Sequence, residues 1–357
     1  MTTGTFESNH PATAPAADRP AARRAVGLWL FAVSFLLLCM VVLGGVTRLT
    51  DSGLSITEWR PVTGVVPPLG EADWLAEMEK YRQIPEYQLI NKGMSLEAFK
   101  RIYYYEWGHR LLGRLIGLVF FVPFVVFLAR RLIPRPLAWR LGAIFVLGGL
   151  QGALGWYMVK SGLTVRTDVS QYRLTAHLGT AFLIQAAVLW TALGQFSPVK
   201  TAAQGGPLWK WALAAAVLVY GQVLLGGFVA GLDAGMIYNT WPLMGGGLVP
   251  GEIDFGAGWR TFFEDHALVQ FNHRVGAYVV SAALVALCWA VWRSGTAGPR
   301  ARLAAGLLLA GLGAQFALGV ATLLLVVPVP LAAAHQAGAF VLFSLALWTA
   351  HSLKRGL

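Results

Sequence analysis

Residues 103–129 read YYYEWGHRLLGRLIGLVFFVPFVVFLA, a polar and aromatic start followed by an apolar run. About 20 apolar residues are enough to cross a hydrocarbon core of about 30 Å as a helix. In lipid the segment must be helical, because no other open structure satisfies its own backbone hydrogen bonds. The stretch therefore predicts a transmembrane helix that carries an acid, Glu106, and a histidine, His109, near one end.

Seven further apolar segments accompany this one. Of the 357 residues, 56% are apolar and 13% are charged, whereas ordinary soluble domains contain about 25% charged residues. This composition excludes a soluble domain and predicts an all-α polytopic membrane protein with eight transmembrane helices. The spans are expected near residues 26–46, 105–129, 141–159, 174–195, 211–230, 267–292, 303–327 and 332–352.

The two cysteines, Cys39 and Cys288, both lie in apolar segments, so the sequence offers no disulfide framework, redox pair or zinc cluster. The net charge of +11 does not indicate nucleic-acid binding, because the cations are concentrated on one side of the predicted membrane. This excess follows the positive-inside rule and places both termini in the cytoplasm. The first span is longer than the core of a cleaved signal peptide, so we expect it to remain as a membrane anchor. The tail before it contains acids, which mitochondrial transit peptides rarely do, so a bacterial inner membrane is favoured. The cations on that side are Arg19, Arg23, Arg24, Arg130, Arg131, Arg135, Arg140, Lys200, Lys210, Arg293, Arg300, Arg302, Lys354 and Arg355.

The chain divides into two units of four spans that resemble each other. Gly44, Gly45 and Asp51 recur 182 residues later as Gly226, Gly227 and Asp233, and the segment QGALG from Gln151 recurs as QFALG from Gln315. Because four is an even number of spans, both units enter the membrane in the same direction, and the pseudo-two-fold axis runs along the membrane normal. The predicted parts are a disordered cytoplasmic tail (1–24), an N-terminal bundle (25–195) with a long external loop (47–104), a cytoplasmic linker (196–210) and a C-terminal bundle (211–353).

Four of the seven histidines occupy repeat-related positions near the outer ends of alternate helices, namely His109 and His177 in the first unit and His273 and His335 in the second. Two histidines at one depth in a four-helix unit can approach one planar cofactor from opposite faces, as axial ligands of porphyrin iron do. Polar groups inside a membrane are costly and usually functional. A structural hydrogen-bonding role stays open, and zinc is disfavoured because it prefers four ligands.

The two units differ beside these histidines. Glu106 precedes His109 by three residues, whereas Gln270 takes this place before His273. Residues at i and i+3 share a helix face, and only a carboxylate can exchange a proton or stabilise a developing cation. We therefore expect chemistry in the first unit and a held cofactor in the second, although Glu106 as a plain helix-end acid stays open.

Several residues near these histidines have two possible roles. Arg110, Arg114 and Arg274 can meet porphyrin carboxylates or can extend toward the interface as helix-end cations. His266 can contact the second site from its outer side or can be an exposed loop residue. In the long external loop, Trp74, Leu75, Met78 and Tyr81 have helical spacing and Ser95 can cap a following helix. That loop helix can form a lid or lie in the interface.

Residues 25–353 resemble the haem A synthase family. The resemblance rests on GGVTRLTDSGLS from Gly44, YYYEWGHRLLGR from Tyr103 and the repeated histidines. It implies an enzyme that oxidises the C8 methyl group of haem O to a formyl group, through hydroxylation and loss of water. Some members carry a cysteine pair in an external loop, which this chain lacks, so it is similar to the cysteine-free proteobacterial and mitochondrial branch.

The resemblance also implies roles for individual residues. His109 and His177 would bind the substrate haem, His273 and His335 would be the axial ligands of a haem b cofactor, and Glu106 would be the catalytic acid. The implied partners are haem O as substrate, an electron acceptor that the sequence does not identify, haem O synthase, cytochrome oxidase assembly factors and the lipid bilayer. A homo-oligomer stays open, and no nucleic-acid partner is expected.

Two other classes of function account for part of the pattern. A di-haem b-type electron carrier explains the four histidines but leaves the difference between Glu106 and Gln270 unexplained. A transporter explains the repeated helices but leaves the paired histidines unused.

Overall fold

The structure, a computed structural model, describes residues 20–197, 206–251, 253 and 258–357. The secondary structure of these residues is helical, without a named strand. Eight of the helices are long and apolar enough to cross a membrane, which confirms the predicted all-α fold with eight spans. These helices are α1 (Pro20–Leu49), α4 (Leu96–Ala129), α5 (Arg135–Val159), α6 (Gln171–Phe196), α7 (Leu208–Gly231), α9 (His266–Arg293), α10 (Pro299–Leu324) and α11 (Val329–Arg355); the short helices are α2 (Glu71–Tyr81), α3 (Pro85–Leu89) and α8 (Thr261–Glu264).

Several helices begin earlier than their apolar spans. The first helix starts at Pro20, so residues 20–24 are helical and the prediction of a disordered tail is wrong for them. Proline is well suited to the first turn of a helix, and the alanines and arginines that follow favour helix as well. The rest of that tail, and most of the predicted linker, lie outside the described residues.

The spanning helices form two rings of four. In the first ring α1 contacts α4 and α6, and α5 closes the ring by contacting the same two helices. In the second ring α7 contacts α9 and α11, and α10 contacts these two. The rings meet where α1 packs on α11, α6 on α7, and α6 on α11. These are the contacts that two units related by the predicted two-fold axis would make.

The centre of the interface between the rings combines aromatic packing with one polar contact. The ring of Phe182 packs 5.5 Å from the rings of both Phe340 and Phe343. One turn further along α6, Gln185 Nε2 donates to Ser34 Oγ at 2.8 Å and to Ser344 Oγ at 3.0 Å. This amide therefore ties α6 to α1 and α11 in the middle of the bundle.

An arginine links the two units at the end of the bundle that carries the external loops. Arg48, at the end of α1, donates to Asp51 at 3.0 Å and to Asp233 at 2.8 Å, and Asp168 lies 3.7 Å away. Asp51 and Asp233 are repeat-related, and both have positive φ values of 48° and 51°. One cation thus holds corresponding turns of both units together.

The predicted helix of the long loop is α2, and its apolar stripe faces the protein. Trp74, Met78 and Tyr81 are buried against Phe99 and Tyr103 of α4, whereas Leu75, the fourth residue of the predicted stripe, is 49% exposed. The Ser95 side chain accepts a hydrogen bond from the Ala98 amide, which confirms the predicted cap of α4. Most of the apolar stripe of α2 is therefore covered by α4, so that α2 packs on the first unit.

The same loop buries a carboxyl group, that of Glu86. Its Oε1 accepts hydrogen bonds from Tyr81 at 3.1 Å and Asn91 at 3.3 Å, while Oε2 has no partner. Burial raises the pKa of Glu86 to about 8, and the nearby acids Asp51 and Asp168 act in the same direction. The folded loop therefore favours the protonated form of this side chain.

We expect Glu86→Gln to reduce the pH dependence of loop stability. Between pH 4.5, the ordinary pKa, and about pH 8 the folded state holds a proton that the unfolded state has lost. Stability therefore falls as pH rises through this window and is level above it. The melting temperature of the purified protein should fall between pH 5 and pH 8, and should fall less in the variant. Glu79→Gln, which changes an exposed acid of α2, is the control; identical pH profiles for Glu86→Gln and the wild type would contradict this account.

Candidate haem sites

Each of the four repeat-related histidines packs against a glycine of the preceding membrane helix. A methyl group on Gly155 would lie 2.9 Å from His177 Cε1, and one on Gly319 would lie 2.8 Å from His335 Cε1. The corresponding contact in the α7 and α9 pair is 3.1 Å, from Gly226 to His273. His109 differs, because its Nε2 is the atom nearest to Gly44, at 2.9 Å. Larger side chains at these positions would displace the imidazoles.

A glutamine one turn before the glycine holds the histidine backbone in three of these four contacts. Gln151 donates to the carbonyl of His177 at 2.8 Å, and Gln315 donates to that of His335 at 3.0 Å. Gln222 donates to the carbonyl of His273 at 2.8 Å and also lies 3.0 Å from its Nδ1. The equivalent of Gln222 in the first unit is Met40. The repeated segments QGALG and QFALG thus encode one contact in which the glutamine binds the backbone and the glycine receives the ring.

The histidines are paired within each unit. His109 and His177 lie on α4 and α6, which are opposite helices of the first ring, and His273 and His335 lie on α9 and α11, the corresponding helices of the second ring. All four side chains are half-buried. His266 is exposed at the first residue of α9, as one of its two readings expected.

The donor set fits an iron porphyrin better than a bare metal ion. Within the described ranges, no group of three His, Cys, Asp or Glu side chains could hold a metal ion. Two imidazoles per unit are what haem iron requires, because the porphyrin supplies the other four ligands. The Nδ1 atoms of His177 and His335 are buried without a partner, which indicates that these rings are not fixed by hydrogen bonds of their own.

Glu106 is the buried acid of α4, with 2% of its surface exposed. Its Oε2 accepts hydrogen bonds from Ser55 Oγ at 2.8 Å and from the Ile56 amide at 2.7 Å. Its Oε1 accepts from Arg110, whose Nε lies 3.0 Å away. The carboxylate is therefore held in a fixed position by the external loop on one side and by a guanidinium one turn along α4 on the other.

Arg110 and Arg274 fasten the external loops to the spanning helices. Arg110 donates to the carbonyls of Ile56 at 2.7 Å and Glu58 at 2.9 Å. Arg274 donates to the carbonyls of Tyr238 at 2.7 Å and Thr240 at 2.8 Å, which are the repeat equivalents of the same two residues. Arg114 likewise donates to two loop carbonyls, those of Arg60 and Pro61. All three arginines are therefore attached to the loops, while Arg114 Nη1 and Arg274 Nε are buried without a partner. The two predicted roles, binding of porphyrin carboxylates and extension toward the interface, stay predictions.

The second unit replaces the buried carboxylate with a neutral contact. Gln270 donates from Nε2 to the carbonyl of Tyr238 at 3.1 Å. The equivalent of Ser55 there is Ile237, which has no hydroxyl group. The acid and its hydroxyl donor are thus absent together from the second unit, while the arginine attachment is common to both.

Comparison with known proteins gives a consistent result over most of the chain. A family model described as cytochrome oxidase assembly protein matches residues 27–347. A protein of Parvibaculum lavamentivorans is 54% identical over 332 residues, covering 93% of this chain and 95% of the relative. Proteins of Rhodospirillum centenum, 54% identical with coverages of 94% and 90%, and Nitrosospira multiformis, 52% identical with coverages of 94% and 95%, are equally similar. All three are named Heme A synthase.

The contact between glycine and histidine predicts unequal effects of two alanine substitutions in α10. Gly319→Ala places a methyl group 2.8 Å from His335, whereas the methyl group of Gly313→Ala meets no atom within 4 Å. We expect the first variant to lose most of its bound haem and the second to keep it, measured as the ratio of haem to purified protein from the absorption spectrum. Equal haem content in both variants would show that the glycine does not position His335.

Proposed function

This chain belongs to the family of cytochrome oxidase assembly proteins, and on that basis we propose that it is an oxidoreductase that converts haem O into haem A. The reaction oxidises the C8 methyl group of the porphyrin to a formyl group and supplies haem A for cytochrome oxidase assembly. The identity to proteins named Heme A synthase over nearly the whole chain supports this function. The observation that carries it to particular residues is a pair of imidazoles in each unit, with a buried carboxylate beside only one pair.

We assign the two units different tasks. The first unit would receive haem O between His109 and His177, and the second would hold haem b with His273 and His335 as axial ligands. The acid supports this division, because Glu106 lies three residues, or about 4.5 Å along the helix axis, from His109. Gln270 at the matching place in the second unit has no ionisable proton. Haem b supplies one-electron chemistry when it is bound.

Glu106 would act on charge that develops at the reacting methyl group. Its oxygens are fixed by Ser55, Ile56 and Arg110 before any substrate binds. Such preorganised charge stabilises a developing cation without rearrangement of the site. Acceptance of a proton by Glu106 is a second role, and it would require the carboxylate to release one of these donors.

The remaining assignments follow from the charge distribution and the reaction. The excess of Lys and Arg at the end of the bundle opposite the histidine sites supports a bacterial inner-membrane location with both termini in the cytoplasm. The substrate is the product of haem O synthase, so that enzyme and cytochrome oxidase assembly factors are proposed partners. The alternative of a di-haem carrier without chemistry has no support among the relatives named above.

Variants of Glu106 separate a chemical role from attachment of the loop. Glu106→Gln can keep the loop in place, because its amide can donate to a loop carbonyl as Gln270 does. We expect it to bind haem with a normal spectrum but to form haem A at least about 10²-fold more slowly. Glu106→Ala should also keep the haem spectrum and stop product formation. The measurement is extraction of haem from purified protein, and Glu97→Gln, an exposed acid of the same helix, is the matched control. A Glu106→Gln variant with wild-type activity would refute the chemical role.

Substitution of the histidine pair in the second unit tests which unit holds the cofactor and which receives the substrate. We expect His273→Ala or His335→Ala to remove or strongly deplete the b-type spectrum, because each removes one axial ligand. His109→Ala and His177→Ala should retain that spectrum and lose product formation. The absorption spectrum of reduced protein, recorded beside the extracted haems, is the measurement. The opposite result would show that the cofactor and the substrate occupy the other halves.

A further inference from the structure

An apolar groove lies between the two units, at the end of the bundle opposite the histidines. Its volume is about 670 Å³, within the range of about 300–1,000 Å³ that is usual for small-molecule sites. The walls come from residues 31–38 in the middle of α1, residues 185–197 at the end of α6, residues 300–303 at the start of α10 and residues 340–357 at the end of the chain. Gln185 follows His177 by eight residues on α6, and Phe340 follows His335 by five residues on α11, so the groove begins about 7.5–12 Å along the helix axes from the histidine level.

The groove opens sideways, where the protein surface faces the hydrocarbon. Phe35, Leu303 and Val341 line it and have exposed fractions of 63%, 56% and 43%. These side chains belong to three different membrane-spanning helices. An occupant would therefore enter from the lipid phase and must itself be soluble in the membrane.

The opposite face of the interface is filled. Leu38 lines the groove, and its repeat equivalent on the other face is Tyr220. The ring of Tyr220 packs 6.2 Å from that of Phe343, and its hydroxyl would lie 2.9 Å from a methyl group on Gly179. The groove is therefore not a necessary result of joining two similar units, because a larger side chain closes the equivalent space.

Unsatisfied polar atoms mark the inner wall and one end of the groove. Gln185 Oε1, His351 Nε2 and Ser352 Oγ belong to lining residues and are buried without a hydrogen-bond partner. These residues are at most 3% exposed. Leaving buried polar atoms unpaired is costly, and a hydrocarbon chain offers them nothing. A carbonyl oxygen of an occupant can accept hydrogen bonds from Ser352 Oγ, and from His351 Nε2 in the tautomer that carries the proton there, whereas Gln185 Oε1 is itself an acceptor and needs a hydroxyl donor.

Aromatic side chains form much of the remaining wall. Phe31, Phe340 and Trp348 line the groove near the polar residues. Aromatic surfaces favour the stacking of flat rings. The groove thus combines a place for a flat ring, hydrogen-bond donors for ring oxygens, and an apolar exit for a long tail.

We propose that this groove binds a membrane quinone, which is the electron acceptor of the reaction. This inference rests on the proposed function, because oxidation of a methyl to a formyl group requires an oxidant. With water as the oxygen source, one methyl group and one water give one formyl group, four electrons and four protons. Two quinones take up two electrons and two protons each and leave as two quinols, so that atoms and charge balance.

The direct test is binding of decylubiquinone to the purified full-length protein in lipid nanodiscs, measured by titration calorimetry. Val341→Trp fills the mouth of the groove, and Val285→Trp on α9 is the control, with 50% exposure and no contact with the groove. We expect the first variant to weaken binding at least tenfold and the control to bind like the wild type. His351→Leu should also weaken binding, because it removes a polar partner without filling the groove. A normal haem spectrum in each variant shows that it has folded.

Decylbenzene has the same tail without ring oxygens and distinguishes a quinone site from a slot for acyl chains. The proposal is supported if decylbenzene binds at least tenfold more weakly than decylubiquinone, and it is overturned if the two bind equally. It is also overturned if Val341→Trp binds decylubiquinone as the wild type does.

A second readout is the yield of decylubiquinol and haem A under anaerobic conditions. Two quinols per haem A support the proposal. If Val341→Trp weakens the binding of decylubiquinone but no haem A forms, the quinone site is supported and the proposed function is refuted. Haem A formation without quinol would refute the acceptor role alone.

Discussion

The close approach of a glycine backbone to an imidazole is the contact on which the two candidate sites depend. It occurs at Gly44, Gly155, Gly226 and Gly319, each of which faces a histidine of the next membrane helix. An added methyl group would lie within 3.1 Å of the imidazole in every case. In a membrane, helices associate through close packing and polar contacts instead of hydrophobic burial, so small residues decide where two helices meet. The same glycines that allow these helix pairs to form therefore also fix the level of the histidines.

The sequence predicted the fold well because its signals are those that a membrane enforces. Apolar length alone identified eight helices, since a spanning segment has no alternative backbone structure. The repeated segments QGALG and QFALG were visible too, but their meaning was not. That Gln151 binds a backbone carbonyl while Gly155 receives a ring follows from the crossing of α5 and α6, which depends on contacts made by distant residues.

The arginines show why some side-chain contacts could not be predicted from the sequence. Arg110 follows a histidine and carries five donors, so both a porphyrin carboxylate and the membrane interface were reasonable partners. Two of the partners it has in the structure, the carbonyls of Ile56 and Glu58, lie about 50 positions earlier. Backbone carbonyls have no signature in a sequence, and no propensity rule brings a particular loop turn beside a particular helix. The repeat was the one available signal, because Arg274 binds the carbonyls of the two equivalent residues.

The two units share the contacts that build the bundle, so their differences indicate where their functions differ. Arg110 and Arg274 keep the same attachment, and the glycine contacts are kept in all four places. Where Ser55 and Glu106 form a buried hydrogen bond, Ile237 and Gln270 leave the second unit without either partner.

A second divergence lies at the level of the groove, where Leu38 leaves a space that Tyr220 closes on the opposite face. The acid and the groove are thus both places where the two units have become unequal. An oxidation needs such inequality, since the carbon that is oxidised and the acceptor that is reduced must bind at different sites. The unit without the acid is then left to hold the haem b cofactor, and the groove between the units is left to bind the acceptor.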